Sequence, residues 1–232
     1  MRARKRIVTI DGPSGGGKST VSRALAARLH FTYLDTGAMY RAVAHQCRAH
    51  GIALAESEQL AALLNRMHLE LMPPAQGDDD VRVVVDGQEV GQFLRTPEMG
   101  MLASQVSALP LVRTTLTRLQ QRIGETGRIV AEGRDTGTVV FPEAAWKFFL
   151  DASPETRAHR RAEQLANKGE VVDRRQLLAQ IIQRDKDDRE RAIAPLKAAD
   201  DAQIIDSTGL SIEEVVQLMH QKILSTSCCA EE

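Results

Sequence analysis

Short apolar runs alternate along the chain with segments in which apolar side chains recur every three or four positions. The run at 7–10 is rich in β-branched residues and ends at Asp11, as is typical of a buried strand. Val21, Leu25 and Leu29 follow at i, i+4 and i+8, the spacing of one helix face. Patterns of the first kind predict strands over 6–10, 31–34, 128–131, 147–150 and 203–205.

Helix signals lie between these strands. Ser153 followed by Pro154 is an N-cap with proline at the first helical position, and Ser211 with Glu214 is a capping box. Strands that alternate with helices indicate an α/β fold with a five-stranded parallel sheet flanked by helices on both faces. The predicted helices cover 18–29, 36–49, 57–64, 97–107, 110–125, 154–167, 173–191 and the residues from 211 onward.

A different pattern occupies residues 67–95. Val81, Val83 and Val85 alternate with other residues, and Asp86-Gly87 is a hairpin signal. We therefore predict a small antiparallel insert here. Residues 225–232 are predicted to form a flexible tail.

Composition narrows the class of protein. The 232 residues are 43% hydrophobic and 26% charged with a net charge of −1, which excludes wholesale disorder and disfavours a general nucleic-acid coat. No apolar run reaches the roughly 18 residues of a membrane helix. The three cysteines lack metal spacing and cannot form a disulfide framework. We expect a soluble, cytoplasmic monomer without nucleic-acid or membrane partners.

A glycine-rich segment joins the first strand to the first helix. Residues 12–19 fit the pattern G-x-x-x-x-G-K-[ST], whose backbone amides cradle phosphates. Lys18 would neutralise the β- and γ-phosphates, and the hydroxyl of Ser19 would bind Mg²⁺. The alternative is a strand-to-helix turn with a chance lysine. The ATP-binding residues predicted from this loop are Gly12, Pro13, Ser14, Gly15, Gly16, Gly17, Lys18, Ser19 and Thr20.

A second candidate segment, at 34–41, follows the second strand, where open α/β sheets bind ligands. Arg41 can hold a phosphate with two hydrogen bonds, and Tyr40 precedes it. Asp35 and Thr36 have an alternative structural role as helix caps. As a set, these residues indicate an acceptor site.

A third segment, at 131–137, follows the strand over 128–131. Arg134 suits phosphate, and Asp135 suits an amine or a sugar hydroxyl. Glu132 is placed to hold the magnesium shell through water. The alternative is a structural ion pair between arginine and aspartate.

Arginines crowd the segment 154–191. Arg157 and Arg161 lie on one predicted helix face, and Arg184, Asp188 and Arg191 are spaced as a stripe on the next helix. Phosphoryl transfer needs cations around the transferred group, and two such helices joined near 168–169 indicate a lid. The alternative is solvent-exposed faces with weak ion pairs.

These motifs together resemble those of bacterial cytidylate kinases over residues 6 to about 222. The resemblance implies the P-loop nucleoside monophosphate kinase fold with an arginine-rich lid, and transfer of phosphate from ATP to CMP or dCMP with Mg²⁺. It is carried by the motifs at 11–20, 34–41, 103–106, 132–142, 149–153, 184–191 and 194–196.

The resemblance also implies a division of the chain. The phosphate loop belongs to a core of 1–35, 128–153 and 192–224. The monophosphate-binding region covers 36–127 and includes the insert. The lid with its flanking helices covers 154–191.

Residue roles on the acceptor side follow from the same resemblance. Cytosine is expected to contact Ser104, Arg113 and Asp188, and Asp188 also reaches the sugar. Thr36 and Asp135 are expected to contact the sugar or nearby groups.

The resemblance places the acceptor phosphate against Arg41, Arg134 and Arg191. Arg184 lies beside them, and Tyr40 completes the CMP-binding set. On the donor side, Arg157 and Arg161 are expected to contact ATP. The residues expected to act in catalysis are Lys18, Arg134, Arg184 and Arg191.

Two other functions remain open at this point. One is a kinase for UMP as well as CMP, or for another small acceptor. The other is a nucleotide-driven switch. A GTPase switch would carry an N-K-x-D motif, and the sequence holds only Asn167-Lys168-Gly169-Glu170. Rates with CMP, dCMP and UMP would separate the first alternative.

Overall fold

The computed structural model describes residues 5–55, 57–73, 81–167, 169 and 173–227. The strands are β1 (Lys5–Asp11), β2 (Thr32–Asp35), β3 (Leu69–Met72), β4 (Arg82–Val85), β5 (Gln88–Glu89), β6 (Ile129–Gly133), β7 (Ala144–Asp151) and β8 (Gln203–Asp206). The helices are α1 (Lys18–Leu29), α2 (Thr36–Ala49), α3 (Glu58–Arg66), α4 (Pro97–Ser107), α5 (Pro110–Ile123), α6 (Pro154–Ala166), α7 (Arg174–Glu190) and α8 (Ile212–Ser227).

The larger sheet has five strands in the order β2-β6-β1-β7-β8. Strand β1 pairs in parallel with both β6 and β7, and β8 pairs in parallel with β7. Asp11 at the end of β1 lies opposite Gly133 of β6, so both strands end at the same edge of the sheet. The predicted α/β fold with a five-stranded parallel sheet is confirmed.

The chain divides into two compact units, one of residues 1–33 and 127–232 and the other of residues 34–126. In the first unit the β-branched run of β1 is buried at Ile7, Val8 and Ile10. Helices α1 and α8 pack on this sheet through Leu25 and Met219, which are both fully buried. Burial of strand side chains between helices explains why β1 is apolar at consecutive positions rather than alternately.

The second unit contains the smaller sheet. Strand β4 pairs antiparallel with β3 and with β5, so the predicted antiparallel insert is confirmed. Asp86 and Gly87 both have positive φ, as a two-residue hairpin turn requires. The backbone amide of His68, just before β3, donates to Oδ1 of Asp86 at 2.8 Å and so ties β3 to this turn. The part of the insert at 74–80 lies outside the described residues.

Several boundaries differ from the predictions. Strand β7 begins at Ala144 rather than at 147, and residues Thr136–Val140 form a π-helical turn that the apolar pattern did not indicate. Helix α8 continues to Ser227, so the prediction of a tail from 225 is wrong for its first three residues. There the Thr226 hydroxyl donates to the Lys222 carbonyl, and buried Ile223 holds the last turns against the core. Residues 228–232 lie outside the description.

Among the described residues, no helix is long and apolar enough to cross a membrane.

A buried ion pair joins α6 to α7. The guanidinium of Arg157 is 1% exposed and donates to both oxygens of Asp185, at 3.1 and 2.5 Å. Its remaining donors reach the carbonyls of Ala152 at 2.9 Å and Ser14 at 3.0 Å. One side chain therefore ties both helices to the backbone of the glycine-rich loop.

Substitution of Asp185→Ala is expected to lower the free energy of unfolding by about 3–5 kcal/mol, because it leaves the Arg157 charge buried without its carboxylate. Urea titration of the purified protein measures the change. The control is Asp187→Ala, an exposed position on the same helix, for which we expect a change within about 0.5 kcal/mol. Equal effects of both substitutions would contradict a structural role for the buried pair.

Candidate active site

The glycine-rich loop lies between the end of β1 and the start of α1, as predicted. Gly12 has a φ of +148°, and a Cβ atom there would lie 2.0 Å from the carbonyl oxygen of Leu150 in β7. Only glycine fits this approach. No side chain of the described residues caps the start of α1 at Gly17, so its first amides point outward, as in anion-binding helix termini.

Lys18 is folded back onto its own loop. Its side chain donates to the carbonyl of Pro13 at 2.5 Å, and the residue is only 7% exposed. Burial lowers the pKa of Lys18 to about 7, and the charge of Arg134 adds to this effect. Glu132 opposes the shift, while Arg184 reinforces it. Several cations therefore lie close together at this loop, and a bound polyphosphate would offset the repulsion between them.

Arg134, just after β6, is held by a carboxylate of α7. Its Nε donates to Oδ2 of Asp188 at 2.8 Å, and its Nη1 donates to the Gly133 carbonyl at 3.2 Å. Burial opposes ionisation of Asp188, but the charges of Arg134 and Arg184 outweigh it and hold the pKa of Asp188 below its usual range. The carboxylate is therefore ionised and fixed.

The second arginine–carboxylate pair at this edge runs in the opposite direction. Arg191, at the end of α7, lies 3.5 Å from Oδ1 of Asp135 and donates to the Ala194 carbonyl at 2.5 Å. Each pair therefore joins the turn after β6 to α7. The structure brings together the predicted residues Arg134, Asp135, Asp188 and Arg191.

Glu132 is nine-tenths or more buried at the end of β6 and accepts a hydrogen bond from the Tyr33 hydroxyl. Ser19 is exposed at the second position of α1. Oxygen donors of this kind suit Mg²⁺, which is usually held by one or two carboxylates together with substrate phosphates. Among the described residues, no group of three or more acidic, histidine or cysteine side chains is placed to hold a metal ion.

In the second unit, Asp35 both caps a helix and holds an arginine. Its Oδ1 accepts from the backbone amide of Ala38 at 2.8 Å, and its Oδ2 accepts from Nη2 of Arg41 at 2.9 Å. Asp35 is therefore the helix cap, and Thr36 is the buried first residue of α2. The guanidinium of Arg41 is oriented by a residue that the sequence suggested only for capping.

A buried arginine also lies between helices of the second unit. Arg113 is 4% exposed, lies 5.7 Å from the ring centroid of Tyr40, and donates to the Ser107 carbonyl at 3.0 Å. The hydroxyl of Ser107 in turn donates to the Ser104 carbonyl at 2.7 Å. Ser107 thus links the predicted residues Arg113 and Ser104, and Arg113 lies over the ring of the predicted Tyr40.

The predicted lid arginines have different environments. Arg157 is buried against Asp185 and the loop, so the alternative of a solvent-exposed face is wrong for this residue. Arg161 is half-buried and donates to Gln164 at 3.3 Å. Arg184 lies close enough to Lys18 and Asp188 to shift the pKa of both. Positions 168 and 170–172 between α6 and α7 lie outside the described residues.

Sequence reasoning missed several residues that organise these groups. Tyr33 and Ser107 carry no motif of their own, and their roles depend on partners distant in sequence or on a backbone carbonyl. Asp11 was placed at the end of the first strand and at the start of the motif at 11–20, but no role was predicted for it. Its carboxylate accepts hydrogen bonds from Thr136 and Gly137.

Comparison with known proteins decides the family. The sequence model of the family described as cytidylate kinase matches residues 8–225. The chain belongs to the cytidylate kinase family. Cytidylate kinases of Carboxydothermus hydrogenoformans and Vibrio vulnificus are each 46% identical to it. The first match covers 90% of this chain and 93% of the relative, and the second covers 97% and 98%.

A longer relative of this cytidylate kinase family member is the bifunctional pantoate ligase/cytidylate kinase of a Synechococcus strain. The two are 46% identical over 99% of this chain, which spans 43% of the relative. Among solved structures, an uncharacterized protein from Eubacterium ventriosum superposes with a TM-score of 0.52 at 12% identity, covering 95% of this chain and 99% of that one. This likeness concerns the fold alone.

The lowered pKa of Lys18 predicts how stability depends on pH. Unfolded lysine holds its proton to about pH 10, whereas the folded protein releases it near pH 7, so the free energy of unfolding should rise between these values. Urea unfolding at pH 7, 8 and 9 measures this rise. Lys18→Met should remove this component of the rise, and Lys222→Met, an exposed control on α8, should retain it. If the free energy of unfolding rose equally with pH in Lys18→Met and in wild type, burial of the Lys18 ammonium would not be the cause of the rise.

Proposed function

We propose that this chain transfers the γ-phosphoryl group of ATP to CMP or dCMP and releases ADP with CDP or dCDP. The observation that carries the proposal is the gathering of Lys18, Arg134 and Arg184 behind a glycine-rich phosphate loop in a member of the cytidylate kinase family. A polyanionic ligand would offset the mutual repulsion of these cations.

The cations suit transfer between two phosphates. The attacking atom would be an oxygen of the acceptor phosphate, which is already anionic, so no general base is required. Lys18 and the loop amides would hold the donor phosphates, with Arg157 supporting the loop from beneath and Arg161 contacting the donor. Arg134, Arg184 and Arg191 would neutralise charge that spreads over the transferred group.

When bound, Mg²⁺ would supply positive charge that neutralises part of the charge of the donor phosphates. The residues that fit this ion are Ser19, through its hydroxyl, and Glu132, through its carboxylate or a water. Tyr33 would keep the Glu132 side chain in one orientation, because its hydroxyl donates to the carboxylate.

In the second unit, Ser104 and Arg113 are proposed to recognise cytosine. The guanidinium of Arg113 is pre-oriented by the Ser107 carbonyl and by its position near Tyr40, so little side-chain freedom remains to be lost on binding. Arg41, held by Asp35, is proposed to bind the acceptor phosphate, and Thr36 to contact the sugar.

In the first unit, Asp188 is proposed to accept a hydrogen bond from the exocyclic amine of cytosine. Uracil has a carbonyl at that position, so two acceptors would face each other, and polar mismatches of this kind support strong discrimination. Asp135 is proposed to contact the sugar. We further propose that the protein acts as a cytoplasmic monomer on small nucleotides, and its net charge of −1 disfavours a nucleic-acid substrate.

The test of this function is ADP release from ATP·Mg²⁺ with CMP, dCMP, UMP, AMP, dTMP or no acceptor. We expect rates with CMP and dCMP to exceed those with the other acceptors, and a rate near zero without acceptor. Lys18→Met should abolish turnover. Equal ADP release with and without acceptor would contradict a monophosphate kinase and favour a nucleotide-driven switch.

Asp188→Ala is expected to reduce the ratio of kcat/KM for CMP to that for UMP by about tenfold or more, the scale of one buried polar contact. The two acceptors are compared at saturating ATP. Asp187→Ala, the exposed neighbour on α7, serves as the control and should keep the wild-type ratio. A lower kcat with an unchanged ratio would show that Asp188 acts only through its ion pair with Arg134.

A further inference from the structure

Asp11 is a buried carboxylate to which the proposed mechanism gives no task. It is the last residue of β1, directly precedes the phosphate loop, and is 3% exposed. Its Oδ1 accepts from the backbone amide of Thr136 at 2.9 Å and from the Thr136 hydroxyl at 2.7 Å. Its Oδ2 accepts from the backbone amide of Gly137 at 2.8 Å. All three donors belong to one turn.

That turn begins immediately after Arg134 and Asp135. Residues Thr136–Val140 form a π-helical turn whose own N-cap residue, Asp135, makes no capping hydrogen bond with its side chain. Asp135 instead faces Arg191. The first amides of the turn would otherwise be buried without acceptors, and Asp11 caps them from the neighbouring strand.

Gly137 lets the turn sit directly on β1. A Cβ atom at this position would lie 2.8 Å from Oγ1 of Thr9 and 3.4 Å from Oδ2 of Asp11. A larger residue would therefore push the turn away from the carboxylate. Asp11 can therefore cap the turn only because the turn packs closely against β1.

A carboxylate at this buried position carries a cost. Burial raises its pKa, and the hydrogen bonds from Gly137 and Thr136 offset this only in part. A raised pKa means that the ionised carboxylate destabilises the folded state as pH rises above the ordinary range of aspartate. An asparagine would avoid that penalty, but its single amide oxygen could not replace both carboxylate oxygens that accept from Thr136 and Gly137.

We propose that Asp11 is a positioning residue that fixes Arg134 and Asp135 beside the phosphate loop by gripping the turn that follows them. This inference rests on the proposed function, in which Arg134 and Asp135 serve the acceptor. The carboxylate adjoins Gly12 on one side and holds Thr136 and Gly137 on the other, so a single side chain sets the spacing between the two segments.

The charge of Asp11 could also act directly, since it raises the pKa of Lys18. Two substitutions separate the effects. Thr136→Val removes one hydrogen bond to Asp11 and leaves every charge in place. Asp11→Asn removes the charge and turns an amide NH₂ group toward either the Gly137 or the Thr136 donors. It therefore disrupts the hydrogen bonds to the turn more severely than Thr136→Val does.

The matched control lies in the same turn. Thr138→Val is the same substitution two residues along, at a half-buried hydroxyl that donates to the Asp135 carbonyl at 3.4 Å rather than to Asp11. Any general effect of valine on the turn should be present in this variant also.

The experiment measures KM for CMP, KM for ATP and kcat in the full-length variants, together with hydrogen exchange of the Gly137 amide. We expect Thr136→Val to raise KM for CMP about tenfold, the scale of one charge-assisted hydrogen bond, with KM for ATP within twofold of wild type. Asp11→Asn should have a larger effect in the same direction and should speed exchange of the Gly137 amide. Thr138→Val should resemble wild type.

Two results would overturn the inference. Equal increases in both KM values would show that Asp11 supports the fold as a whole. A change in Asp11→Asn but none in Thr136→Val would assign its effect to charge on Lys18. If wild type phosphorylates an acceptor other than CMP, the proposed function fails, and the same comparison of KM values with that acceptor tests the positioning role.

Discussion

Buried carboxylates hold a group of like charges together at the carboxyl ends of β1 and β6. Burial lowers the pKa of Lys18 to about 7, and the charges of Arg134 and Arg184 add to this effect. Asp188 and Glu132 lie among them and favour the charged state of Arg134. Without these carboxylates, the folded state would hold the cations close together with less compensation of their repulsion.

The carboxylates do not fully offset the positive charges around Lys18, and this affects how the site binds a ligand. A fully neutralised cluster would have no electrostatic reason to bind phosphate, whereas an uncompensated one would not fold. Lys18 lies between these two extremes, because it donates to the carbonyl of its own loop and its pKa is lowered to about 7. A polyphosphate would restore the lysine charge, so binding energy and protonation are coupled in this site.

The order of elements could be predicted from the sequence because it rests on local patterns. The β-branched run at 7–10, the capping box at Ser211 and the Asp86-Gly87 hairpin each carry their own physical cause within a few residues. The phosphate loop was equally accessible, since its spacing is fixed by the ligand. The π-helical turn at Thr136–Val140 was not, because its cap comes from another strand.

Pairing of charges could not be predicted for the same reason. The spacing of Arg184, Asp188 and Arg191 suggested pairs within one helix, but Asp188 binds Arg134, which is 54 residues away. Arg157 has the sequence context of a surface arginine and is among the most buried large side chains. In both cases the partner is chosen by which strand and helix ends meet, and this is a property of the sheet order rather than of any segment.

Sheet order therefore explains why the site residues are scattered along the chain. Strands β1 and β6 are separated by more than a hundred residues yet lie side by side, so the residues after each strand share one edge. At that edge Asp11 of β1 accepts a hydrogen bond from the amide of Gly137, which follows β6. Arg134 and Asp135 lie between the end of β6 and Gly137. A substitution in the turn after β6 must therefore preserve the fit of Gly137 on β1, because a displaced turn would shift Arg134 and Asp135 relative to the glycine-rich loop.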